Sequence, residues 1–192
     1  MIKELAIAGL MAVPVAASAS GVVFPEGKAC VAWKTRKTMF LVKKVEPVGI
    51  NCSVNIRIDS KGVGKQVTVE IPIAAFDSGE KMRDRKVLEI LKSDVSPALV
   101  FTSRIYTPDE WSVVRSGKAI AIEGALAVGG ESFPIVVPFS LSTETPLIAS
   151  GVLVTTFTRF KINPPKVAGG IVASVQDYLE LHYRIPMAAV AQ

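Results

Sequence analysis

The chain has 192 residues, 49% of them hydrophobic and 20% charged, with a formal net charge of +5, two cysteines and one histidine. So many aliphatic residues exclude a disordered chain, and one domain of this length can bury a core without covalent staples. One His and two Cys fall short of the usual ligand set of a structural zinc site, so no metal is expected.

Residues 1–19 read as a signal peptide: Lys3, an apolar run from Leu5 to Ala17, and the small-x-small ending Ala17-Ser18-Ala19. The expected domain is then 20–192, and the expected location periplasmic or secreted. Beyond the leader no run of 18 or more apolar residues occurs, so the body is not expected to span a membrane as a helix. Strands are predicted first at Lys28–Lys34 and Thr38–Val45. Ile50–Asp59 follows, where Ile50, Cys52, Val54, Ile56 and Ile58 alternate with polar residues. A glycine turn leads to Gln66–Ile73, with Val67, Val69, Ile71 and Ile73 on one face. Asp77-Ser78-Gly79-Glu80 resembles a capping box and opens one helix near 78–92, closed by Ser96-Pro97.

Further strands are predicted at Leu99–Tyr106, Lys118–Val128, Phe133–Ser142, Ile148–Thr158 and Gln176–Ile185. In Lys118–Val128, Ile120, Ile122, Leu126 and Val128 share a face. Pro134 and Pro138 cannot donate to a ladder and point to a bulge or an open edge. A short helical or loop element is expected over Pro164–Ser174. The fold class is all-β, an antiparallel barrel of about eight strands, chosen over a sandwich because long strands follow one another by short turns.

The inward faces are apolar. Candidate lumen residues are Phe40, Val42, Val54, Ile56, Val69, Ile71, Phe76, Phe101, Ile122, Leu126, Phe133, Ile135, Val137, Phe139, Phe160 and Tyr183, with Met82, Leu88 and Leu91 of the helix as a lid. A barrel this small holds either packed side chains or one small ligand.

Phe76-Asp77-Ser78-Gly79, followed by Arg83-Asp84 and then by Pro97 and Phe101, resembles a run in the YceI-like family of lipid-binding and polyisoprenoid-binding periplasmic proteins. Phe40-Leu41-Val42-Lys43 is similar to the family's second-strand signature, Ile122-Glu123-Gly124-Ala125-Leu126 to its central strand, and Phe160–Pro165 with Val167–Gly170 to its late loop, in the same order. Lys44 stands where many members carry histidine, and Ala125 replaces a common threonine. The resemblance implies a lipocalin-like extended barrel whose lumen binds an isoprenoid or fatty-acid-like lipid. It needs no other cofactor and no catalysis. Asp77, Gly79, Arg83, Asp84 and Pro97 carry the motif; their plain reading is structural, Asp77 capping the helix and Asp84 pairing with Arg83 or Arg85.

His182 alternates with the solvated side of the last strand, so His182→Ala is expected to be harmless and no catalytic role is expected. Cys30 and Cys52 fall on opposite faces if Val31 and Trp33 point inward, which opposes a disulfide, while an oxidising compartment favours one; the sequence leaves this open. Lys34, Arg36, Lys37, Lys43 and Lys44 form a basic group suited to transient contact with an anionic membrane surface. Nucleic acid is not an expected partner; a homodimer is compatible with the pattern. The alternative function is a filled barrel serving as a protein-interaction module beside a membrane redox complex.

Overall fold

Alternating apolar residues build strands over most of the chain, and the computed structural model describes residues 21–39, 43–167 and 173–190. In order, the elements are β1 (Cys30–Met39), β2 (Lys43–Val45), β3 (Val48–Asn51), β4 (Asn55–Lys61), β5 (Gly64–Pro72), α1 (Lys81–Ile90) and β6 (Ala98–Ser103). There follow α2 (Pro108–Arg115), β7 (Ala121–Val128), β8 (Glu131–Pro138), β9 (Ser140–Leu141), β10 (Ile148–Thr155), β11 (Lys166–Val167) and β12 (Ala173–Pro186). The expected leader, residues 1–19, and the candidates Phe40 and Val42 lie outside the described residues.

The expected barrel is corrected: the strands form two antiparallel sheets that do not close on each other. One runs β2-β1-β12-β10-β9, with β3 also on β1 and β11 on β12; the other runs β4-β5-β6-β7-β8. The prolines of β8 explain one open seam. Phe139 N–H donates to Ile120 O at 2.8 Å, on the β7 side. Donors alternate along a strand, so positions 134 and 138 face away from β7, toward β10. Proline has no N–H there, and no ladder forms. A side chain of β12, the strand paired with β10, spans the gap instead, Tyr183 Oη donating to Pro138 O at 2.7 Å.

The predicted strand Ile50–Asp59 is broken at 52–54, where the chain crosses from one sheet to the other. Buried Asn51 holds that corner, its Nδ2 donating to Pro72 O at 2.8 Å and its Oδ1 accepting from Ser53 N at 2.8 Å. Because Cys52 leaves the sheet at this corner, the opposite-face objection fails, and Cys52 is bonded to Cys30. The first two predicted strands are a single β1 with a register shift between Thr35 and Lys37, followed by short β2. Ile120 falls just before β7 and is 86% exposed instead of inward. In place of a wholly helical or loop element after Pro164, Lys166–Val167 pairs with Ser174 and Ala173.

Two helices, not one, cover the ends of the second sheet. α1 joins β5 to β6 and α2 joins β6 to β7, so in an antiparallel sheet they sit at opposite ends. The unpredicted α2 is fixed by a capping box, Thr107 and Glu110 bonding each other's backbone N–H, with Pro108 in its first turn. Between the sheets lies the core, including Ile56, Ile71, Phe101, Ile122, Leu126, Phe157, Phe160 and Leu179.

Candidate functional site

The two inner faces do not meet throughout. They enclose a cavity of about 960 Å³, at the upper end of the roughly 300–1,000 Å³ usual for small-molecule sites. Of the sequence-derived candidates, Ile56, Val69, Ile71, Phe76, Met82, Leu91, Phe101, Ile122, Leu126, Ile135, Val137, Phe139, Phe160 and Tyr183 line it. Val54 packs against the core without lining the cavity. Phe133 is buried beside it, its ring edge-on to Phe160 at 5.5 Å between centroids. Leu88 is also absent from the lining. Besides Met82, the α1 residues turned to the cavity are Arg83, Lys86, Val87 and Ile90, spaced i, i+3, i+4, i+7, and Leu88 falls off that stripe.

The first sheet supplies a wall that the candidate set largely missed: Val31, Trp33, Thr35, Ala149, Leu153, Leu179, Leu181 and Ile185. Alternation along β12 groups Leu179, Leu181 and Ile185 with Tyr183, which is a usable signal in the sequence. At the α2 end Trp111 and Val114 contribute, and the Thr107-x-x-Glu110 box was the signal for their helix. Met82 is 76% exposed although it lines the cavity, so the α1 end is a mouth rather than a sealed wall.

The motif residues knit the turn into α1. Asp77 exchanges both backbone hydrogen bonds with Ile50, at 2.9 Å each, and its Oδ1 accepts from Gly79 N at 2.8 Å. Gly79 has φ +73°, which its missing Cβ permits. Asp77 does not cap the helix as expected; Glu80 does, accepting from Met82 N at 2.9 Å. Asp84 pairs with neither Arg83 nor Arg85, but accepts from Ser78 N at 3.0 Å and Ser78 Oγ at 2.5 Å. Arg83 pairs with Glu80 at 3.6 Å, and Pro97 O accepts from Ile73 N at 2.9 Å.

A polar cluster lies on the other face of β1 and β12. His182, expected in solvent, is only 5% exposed, with Nε2 at 2.7 Å from Glu180 Oε2. Tyr178 Oη donates to the same carboxylate, and buried Lys34 sits at 3.7 Å from it and at 2.9 Å from Glu46. Burial pushes the Glu180 carboxyl up, but the hydrogen bonds from Tyr178 and His182 and the Lys34 charge outweigh it and hold the acid below its usual range. The hydrogen bond to Glu46 raises Lys34. Lys34 and Arg36 are thus engaged internally, Arg36 stacked on Tyr178 at 3.7 Å. Among the described residues, no group of three or more His, Cys, Asp or Glu side chains is placed to hold a metal.

A family model for the YceI-like domain matches residues 19–187. The fold is similar to that of BcnA of Burkholderia cenocepacia, at a TM-score of 0.58 and 16% identity, covering 81% of this chain and 94% of that one. It is likewise similar to a polyisoprenoid-binding domain from Saccharophagus degradans, at a TM-score of 0.57 and 8% identity over the same shares, 81% and 94%. The YceI protein of Campylobacter jejuni matches at a TM-score of 0.51 and 17% identity, over 69% of this chain and 79% of that one. No curated protein matches the chain.

Proposed function

The chain belongs to the YceI-like family, and from that premise we propose that it is a non-catalytic binding protein that holds the chain of an isoprenoid or other long-chain amphiphile between its sheets. The observation that carries this reading is the cavity of about 960 Å³ with its aliphatic and aromatic lining. Apolar walls offer dispersion contact and a place from which water prefers to leave, with little polar recognition along the length of a guest. A dozen buried methylenes at about 0.8 kcal/mol each contribute about 10 kcal/mol gross, reduced by the cost of ordering the chain. The neighbour described as polyisoprenoid-binding supports the same class of guest.

The reading places the protein outside the cytoplasm, in a periplasm or secreted, which the leader-like residues 1–19 and the Cys30–Cys52 bond support. Lys43 and Lys44 of the basic group make no ion pair among the described residues, leaving them to meet an anionic membrane surface in passing. The cavity weighs against the rival reading of a filled interaction module. Organic extraction of the purified protein followed by mass spectrometry tests the proposal. A chain lipid near one per protein is the expected result. An empty extract from protein that also fails to take up a fluorescent fatty acid overturns it.

A further inference from the structure

The carrier reading leaves the head of the guest unspecified, and the α1 mouth of the cavity is not apolar. A helix packing on a hydrophobic surface carries apolar residues at i, i+3, i+4 and i+7. On α1 the first two such positions are Arg83 and Lys86, and only the last two, Val87 and Ile90, are aliphatic. Lys37 and Lys166 also line this cavity. Lys37 is paired with Val175 and Lys166 with adjacent Ser174, so both stand at the start of β12. The far end of α1 reaches that region, since Ile90 and Lys92 share a surface depression with the 160–163 segment that leads to Lys166.

Glu80 is the one carboxylate among the lining residues. It pairs with Arg83 at 3.6 Å, and Lys86 pairs with Glu89 at 2.6 Å. Lys37 and Lys166 have no ion-pair partner among the described residues. The mouth therefore keeps a positive surplus beside a low-dielectric wall, an arrangement that concentrates field on whatever enters.

We propose that the guest is an anionic amphiphile, its carboxylate or phosphate head seated among Lys37, Arg83, Lys86 and Lys166 and its chain in the cavity. This rests on the carrier reading. The competing role for such side chains is to cover the apolar rim with their methylene stems, which would give no preference for a charged head.

The test measures binding of two matched pairs to delipidated full-length protein at about pH 8, where a carboxylate is ionised: oleate against methyl oleate, and geranylgeranyl diphosphate against geranylgeraniol. Each anion should bind about ten-fold or more tightly than its neutral partner at low salt, with the gap shrinking as salt is added. In the combined variant K37Q/R83Q/K86Q/K166Q the gap should close while the neutral probes bind as before, which also shows that the fold survives. A gap confined to one pair identifies the head as carboxylate or phosphate. Equal affinities within both pairs, or a gap that persists in the variant, overturn the proposal. If no probe of either kind binds, the carrier reading falls as well. Charge-dependent binding to phosphatidylglycerol vesicles without any preference between the soluble pairs also overturns it and assigns the cations to membrane docking.

Discussion

Glu180 is 4% exposed and ionised, a state that costs free energy unless partners surround it. Its partners come from three strand positions: Tyr178 and His182 flank it on β12, and Lys34, which also pairs with Glu46, reaches it from β1. Because its carboxyl titrates lower in the folded chain than in the unfolded one, its contribution to stability is present at neutral pH and fades as pH falls below the ordinary value of 4.5. Glu180→Gln should be less stable than the parent at pH 7, and the difference should narrow as unfolding is followed toward pH 3, read by denaturant midpoints at each of these approximate pH values. The harmless His182→Ala expected from strand alternation is corrected on the same ground, since it would strip the carboxylate of a partner 2.7 Å away. Alternation tells which face a residue takes, not whether that face is covered. Asp84 shows a similar limit. Its role in the motif was legible as structural, but its partner, Ser78, lies across a turn that sequence spacing does not specify. Asp84→Ala should lower stability by about 1–2 kcal/mol through loss of two hydrogen bonds to a carboxylate, with lipid content per protein unchanged on extraction.

Elements with one wet face and one dry face were read well. β5 and β7 run close to the predicted strands, and α1 lies inside its predicted span. The failures occur where the chain changes sheet or end. Unbroken alternation through Cys52 and Val54 hid the corner between β3 and β4, because a period of two continues across a short crossing that happens to keep phase. α2 is eight residues long with only Val114 buried, so it offered little periodicity and announced itself only by its cap. The open seam was legible in part, since Pro134 and Pro138 marked an edge; what replaces the ladder was not. At Gly151 the backbones come so close that an added Cβ would lie 2.0 Å from Pro138 O and 2.7 Å from the Tyr183 ring. Gly151→Ala must push β10 away from β8 or rotate Tyr183. It should destabilise the protein by about 1–3 kcal/mol, the usual cost of overpacking, measured by urea unfolding. A midpoint equal to that of the parent would show that the seam yields freely. Tyr183→Phe, which removes only the hydroxyl bridging the seam, should cost about 1 kcal/mol in the same assay.

At the scale of the molecule, the sequence named many of the cavity-lining side chains but not the shape that leaves them apart. Each strand declares which residues turn inward; whether opposed faces touch depends on the spacing of two sheets, which is set by corners, caps and the prolines of β8. The first-sheet wall was under-read because β12 is covered on both faces, so its polar members looked solvated and its apolar members unremarkable. Ala149 and Leu153 bring the cavity under experimental control. They stand four apart on β10, both lining it, opposite Ile185 and Leu181 of β12. Neither belongs to the motif, the polar cluster or the cationic mouth. A larger ring at these positions can grow into unfilled volume, so the fold should tolerate it where a packed core would not. Ala149→Trp and Leu153→Trp should each lower the amount of chain lipid extracted, and together reduce binding of a fluorescent fatty acid by about ten-fold or more, since a guest must give up the contacts of the displaced methylenes. Circular dichroism should be unchanged and thermal stability equal or higher, because side chains now occupy space that otherwise lacks partner atoms. Strong destabilisation of both variants would mean that the inner faces pack together in solution, and the binding reading would lose its physical basis.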